Sequence, residues 1–240
     1  MTTTSDKSNT IPKRQSMRVT LGYGLKNFFG VAFYGLLLFI PAGTLAWPHA
    51  WVYLALFLIV LIASSITTDP ELLRDERGVG QTGRKGWDLG LVSTYGILTT
   101  IAVPILAGFD WRYGWSADIP LWLIILAVII YALGWAFGLW AMAVNRFFSK
   151  IVRIQHERGH HVIDKGPYRY VRHPGYVGGI IHNLGTPIIL GSWWALIPAA
   201  LAGLLMVIRT GLEDRTLQDE LEGYKGYTEH VHYRLIPGIW

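Results

Sequence analysis

The chain has 240 residues, of which 52% are hydrophobic and 15% charged, with a formal net charge of +5 and no cysteine. Average soluble domains carry about 25% charged residues, so this composition points to a membrane protein. The missing cysteines exclude disulfides, thiolate nucleophiles and cysteine-ligated metals, and the distribution of the basic residues along the chain argues against a nucleic-acid partner.

Residues 1–16 are polar, Ser/Thr-rich and basic, and residues 1–26 are expected to form a disordered cytosolic tail. It is not a signal peptide, because the apolar run behind it is long enough to span and has no small-residue cleavage site. A bilayer core needs about 20 apolar residues as helix. Stretches 28–47, 51–67, 89–109 and 121–143 meet that requirement. The apolar stretch 176–208 is too long for one span and is broken by Gly191-Ser-Trp-Trp194, which predicts a helical hairpin of two short arms. The fold class is therefore all-α integral membrane, with about six transmembrane helices. Between spans two and three, 69–77 reads as a short surface helix with Pro70 at its start. Residues 27–87 form an accessory two-helix module with its loop, and 88–240 form the core.

Charge supports this count. The tail, the two connections after spans two and four, and the segment from Arg209 hold five, four, seven and four Lys/Arg, whereas the three intervening loops hold only Arg112. Twenty against one is the asymmetry of the positive-inside rule, with both termini cytosolic and a bacterial-type inner membrane expected. Trp47, Trp51, Trp111, Trp115, Trp193 and Trp194 fall at the opposite boundary, where indoles favour the interface.

The dense polar chemistry lies on the basic side, after residue 144. Its centre is Gly-Pro-Tyr-Arg-Tyr-Val-Arg-His-Pro-Gly-Tyr at 166–176, which sets cations, phenols, a histidine and prolines beside the membrane. Pro174 suits the first turn of a helix, so it marks the start of span five with His173 near the N-cap. The free N–H groups there offer an anion site. Arg209 and Glu213 share one face at the end of span six; a plain i,i+4 ion pair is the simple alternative to a functional role. His182 and Asn183 lie two turns into span five, where either interhelical hydrogen bonds or substrate contact explains them.

These pieces, in order with Tyr224-x-x-Tyr227 and Pro237, resemble the isoprenylcysteine carboxyl methyltransferase family over roughly residues 120–240. Phospholipid N-methyltransferases have a similar membrane core. The resemblance implies S-adenosylmethionine as cofactor and a lipophilic methyl acceptor drawn from the bilayer, at a site on the cytosolic side. It implies cofactor contacts from Gln155 and His160-His161-Val162-Ile163, from Tyr168, from His173-Pro174-Gly175-Tyr176 and from Glu213. Arg209 is the implied substrate-orienting residue. The chain departs from eukaryotic relatives at Asp214, which is followed by scattered acids rather than a glutamate run. A phospholipid amine or a small thiol stays open as acceptor. So do two other readings: an NADPH-dependent lipid reductase, whose sterol-reducing members have a resembling C-terminal core, and a scaffold whose basic face binds anionic lipid.

Overall fold

The structure of the protein, a computed structural model, describes residues 13–67 and 83–240, with side chains over 27–65 and 83–240. Helices α1 (Lys13–Ala42), α2 (Pro48–Thr67), α3 (Gly86–Tyr113), α4 (Leu121–Val144), α5 (Pro174–Ile189) and α6 (Leu196–Glu220) occupy the six expected stretches. A short α7 (Tyr224–His230) follows. The described residues contain no strand. Stretches Pro48–Ser65, Gly86–Tyr113, Leu121–Val144 and Leu196–Glu220 are long and apolar enough to cross a membrane.

Three boundaries differ from expectation. Helix α1 begins at Lys13, inside the stretch expected to be a disordered tail; residues 1–12 and the expected surface helix at 69–77 lie outside the described residues. At its other end α1 stops at Ala42, where Gly43 turns the chain at φ 68° and its N–H returns to the Phe39 carbonyl. Trp47 therefore tucks inward, fully buried and stacked on Trp111 with centroids 5.6 Å apart, instead of sitting at the interface. Helix α6 runs on to Glu220, well beyond the apolar stretch, so Arg209 and Glu213 stand within the helix and not at its end.

Helix α3 carries a π-helical turn at Leu98–Ala102 ahead of Pro104. The Val103 N–H reaches back to Leu98, and Pro104 has no N–H for the next carbonyl. The Tyr34 hydroxyl donates to that Thr99 carbonyl across the α1–α3 contact at 3.4 Å. At the far end of the bundle, Asp110 accepts from the Ser116 N–H (2.7 Å) and from the Ser116 and Ser192 hydroxyls. This buried carboxylate closes the α5–α6 hairpin at Gly191, which takes φ 79°.

Helices α4 and α5 make the most extensive contact in the molecule. Glycines permit it: a Cβ on Gly178 would lie 2.5 Å from the Gly134 carbonyl oxygen and 2.8 Å from the Gly138 nitrogen. Asn183 ties α5 to α6 by donating to the Ala199 carbonyl at 2.8 Å, while the His182 ring lies against Trp135 of α4. Because the obstacles at Gly178 are backbone on both counts, Gly178→Ala has to part the helices. It is expected to cost about 1–3 kcal/mol, read as a lowered unfolding midpoint of the detergent-solubilised protein; an unchanged midpoint would refute the close packing.

Candidate active site

Pro174 opens α5 and His173 holds the N-cap position. Of the expected free N–H groups little remains. Pro174 has none, and the Tyr176 and Val177 N–H groups both donate to the His173 carbonyl, leaving Gly175. Phe148 packs over this turn so closely that a Cβ on Gly175 would lie 2.6 Å from its ring. The expected anion site is thus reduced to one backbone donor under an aromatic cover.

The turn is held from below by Asp214, a fully buried carboxylate on α6. Arg172 grips it with both arms, Nε at 2.7 Å and Nη2 at 3.0 Å, and Arg234 Nε adds a third contact at 2.9 Å. His173 Nε2 lies 3.3 Å from it, and Gln218 and Tyr224 donate to it as well. The C-terminal segment lies against the same turn, since the Arg172 and His173 N–H groups donate to the Tyr233 and Arg234 carbonyls. The departure from the glutamate run at Asp214 is therefore the anchor of the site.

Above this anchor opens a cleft of about 770 Å³, counted to its solvent-facing mouth. One wall is the 145–163 segment with Phe147, Phe148, His160, His161, Val162 and Ile163. The floor is Tyr168, His173, Gly175 and Tyr176, and the opposite wall is Glu213, Leu217, Leu221, Tyr224 and Tyr227. Tyr176 donates a short hydrogen bond to Glu213 Oε2, and its ring stacks on His173 at 5.7 Å with 5° between planes. Among the described residues, none donates a hydrogen bond to Glu213 Oε1. Tyr168 accepts from Asn145 at 3.0 Å, and its carbonyl accepts from the Tyr227 hydroxyl at 2.6 Å, which docks α7. Burial pushes the Tyr168, Tyr224 and Tyr227 phenols up, so all three are neutral, Tyr168 accepting while Tyr224 and Tyr227 donate.

The cleft thus gathers His160, His161, Val162, Ile163, Tyr168, His173, Gly175, Tyr176 and Glu213. Three expected residues stand apart from its wall. Gln155 is fully buried behind the loop, donating to the Phe147 carbonyl at 2.7 Å and accepting from Arg158 at 2.8 Å; it shapes the wall without facing the cleft. Pro174 is buried in the first turn. Arg209 is buried and does not pair with Glu213. Its Nε and Nη2 instead reach Asp88 at 2.7 and 3.2 Å, and Nη2 also donates to the Lys150 carbonyl. Its Nη1 makes no hydrogen bond among the described residues, and the guanidinium lies 5.2 Å from the centre of the Tyr176 ring.

Sequence reasoning missed Asp88, Asn145, Phe147 and Phe148. Asp88 did carry a signal: a lone carboxylate at the start of an apolar span needs a cation, and Arg209 is the matching charge at the end of another.

His160 sits in the cleft wall as a neutral ring. Its Nδ1 accepts the Gln155 N–H at 3.3 Å, and its face lies 4.5 Å from Phe147. Burial, helped by nearby His161, His156 and the Arg153 and Arg158 guanidinium groups, lowers its pKa from 6.5 to about 4. The unfolded chain then takes up the proton first as pH falls. Its contribution to stability is full above about pH 6.5 and declines as pH drops towards 4. The unfolding midpoint is expected to fall over that window, and His160→Asn, which keeps an acceptor, to flatten the fall. Equal slopes in the two proteins would refute this.

Fold and cleft together define a multi-pass helical membrane protein with a solvent-open cleft at one end of its last two long helices. The sequence model of the isoprenylcysteine carboxyl methyltransferase (ICMT) family matches residues 123–219. Over this membrane core the chain is similar to that family. A probable protein-S-isoprenylcysteine O-methyltransferase of Oryza sativa subsp. indica is 32% identical over 98 residues, covering 38% of this chain and 49% of the rice protein. The protein-S-isoprenylcysteine O-methyltransferase of Schizosaccharomyces pombe is 46% identical over 46 residues, covering 19% and 20% of the two chains. The chain spans about half the length of the curated relatives it matches, or less. The solved structure of a eukaryotic intramembrane Ras methyltransferase, an isoprenylcysteine carboxyl methyltransferase, superposes with a TM-score of 0.50. That alignment covers 96% of this chain and 88% of the other at 18% identity, a likeness of fold.

Proposed function

We propose that the protein is a membrane methyltransferase that binds S-adenosylmethionine in the 145–176/213–227 cleft and methylates a lipophilic acceptor at the cytosolic face. The observation that carries this reading is Glu213. Within the family-matched stretch it lines the cleft beside Tyr176 and keeps Oε1 unbonded, a buried-side acceptor suited to a ribose diol or an ammonium. The aromatic faces of Phe148, Tyr176 and Tyr227 suit a flat base and a cationic sulfonium. Gly175 N–H is the backbone donor left for a carboxylate. The chain's residues fit the cofactor by chemistry, with Gln155 supporting the wall and His160–Ile163 forming it.

When bound, the cofactor supplies an electrophilic methyl group on sulfur. The chain's part is to position, since an in-line displacement gains most from alignment. Arg209, held rigid by Asp88 and the Lys150 carbonyl, leaves Nη1 to orient an acceptor. A carboxylate acceptor attacks with its own lone pair and loses no proton, so a cleft without a general base suffices. Helix α3 packs on α1 and α6 rather than on α5, and the Tyr95 hydroxyl stands 4.0 Å from where a Cβ on Gly179 would be. That loose α3–α5 seam, beside Arg209, supports entry of the acceptor's lipid part from the bilayer. The positive-inside asymmetry supports six spans with the cleft facing the cytosol.

The relatives' names support an isoprenylcysteine-like carboxylate as the acceptor. The test is incubation of the purified protein with methyl-labelled S-adenosylmethionine and membrane extracts. Label in a base-labile lipid ester is the expected result, whereas base-stable label would transfer the reading to an amine or thiol. No binding of S-adenosylmethionine, or stabilisation by NADPH alone, would overturn it in favour of a reductase or a scaffold.

A further inference from the structure

Arg209 and Glu213 are one helical turn apart on α6, the spacing at which opposite charges on a helix meet. Here they are kept separate. Asp88 holds Arg209 through both of its carboxylate oxygens, while Glu213 is held by Tyr176, whose ring lies against the guanidinium. Asp88 is fully buried in the first turn of α3, outside the family-matched residues 123–219. Its Oδ2 also accepts the Val152 N–H at 2.7 Å, so its position is fixed from the loop side as well.

We propose that Asp88 is a positioning residue for the cofactor site: by claiming Arg209 it keeps the neighbouring Glu213 unpaired and available to the cofactor. This rests on the cleft being an S-adenosylmethionine site. A buried guanidinium stripped of its counterion is costly and draws the nearest carboxylate. The nearest one on its own helix face is Glu213. Without Asp88 the two residues would close into an internal ion pair, and that pair would compete directly with cofactor binding. Asp88 would then affect a ligand it does not touch, through the choice of partner it imposes on Arg209. If Asp88 only fastened α3 to α6, its removal would loosen the bundle and a second change at Arg209 would bring no recovery.

The test is equilibrium binding of S-adenosylmethionine to the full chain in detergent or nanodiscs. Asp88→Asn keeps an acceptor for the Val152 N–H but removes the charge. It is expected to weaken binding by about 10-fold or more, within the range of couplings inside one charged network. Adding Arg209→Gln removes the competing cation and is expected to restore affinity to within about threefold of wild type. Asp88→Glu keeps the charge, is expected to bind within about threefold of wild type, and gives a result even where Asp88→Asn does not fold. Wild-type affinity in folded Asp88→Asn overturns the proposal. So does a double variant as weak as the single one, or a folded Asp88→Glu that has lost binding. Failure of the wild type itself to bind removes the cofactor reading and the proposal with it, an outcome distinct from the other three.

Discussion

Asp214→Asn is expected to destabilise the folded protein by about 3–5 kcal/mol, the cost of leaving a buried charge without its partner. Asp214 is fully buried and so is Arg172, whose Nε and Nη2 both end on it. An Asn has one acceptor oxygen and no charge to offer Arg172, Arg234 and His173 together. The Arg172 Nη1 bonds to the Val231 and His232 carbonyls would persist, so the failure should begin at the α6 side of this network. Because Arg234 and the strap over 231–240 share the same carboxylate, the variant should also release the C-terminal segment to proteolysis before the bundle melts. An unfolding midpoint and a digestion pattern equal to wild type would show that Asp214 is not the anchor described.

Glu213→Gln should separate binding from folding. Glu213 makes no ion pair among the described residues, and its hydrogen bond to Tyr176 can be replaced in part by an amide oxygen. The unfolding midpoint should therefore stay near wild type. Binding of S-adenosylmethionine is expected to weaken by roughly 10- to 100-fold, since a charge-assisted hydrogen bond to a ligand contributes about 1.5–3 kcal/mol. His173→Ala is expected to weaken binding too, but with a lower midpoint, because its ring links Asp214 below to Tyr176 beside it. If Glu213→Gln bound the cofactor as tightly as wild type, the assignment of the cleft wall would be wrong.

The core of the candidate site was legible because the chemistry is local in sequence. Pro174 fixes a helix start wherever the chain is placed, and the residues at 160–163 and 173–176 come as contiguous runs. Gln155 was not placeable from sequence, because the residue type reveals hydrogen-bonding capacity and not direction; its amide bonds inside the loop, to the Phe147 carbonyl and Arg158. The anion site at the α5 N-terminus was overestimated for a similar reason. A 3₁₀-type first turn consumes donors that an ideal α-turn leaves free. Trp47 was assigned to the interface from its position alone, whereas packing on Trp111 draws it inside.

By itself the sequence determined the all-helical membrane class, the placement of the long helices, the hairpin break at Gly191 and the alternation of basic and charge-poor connections. Each follows from apolar length, backbone chemistry or the cost of moving charge through lipid, and none needs a partner from elsewhere in the chain. Only the tertiary structure decided which charge answers which. Arg209 has Glu213 four residues away and takes Asp88, 121 positions distant; Asp214 reaches forward to Arg234 and back to Arg172. Buried charges settle on the partner that packing delivers with good geometry in a dry environment, and sequence separation has no bearing on that choice.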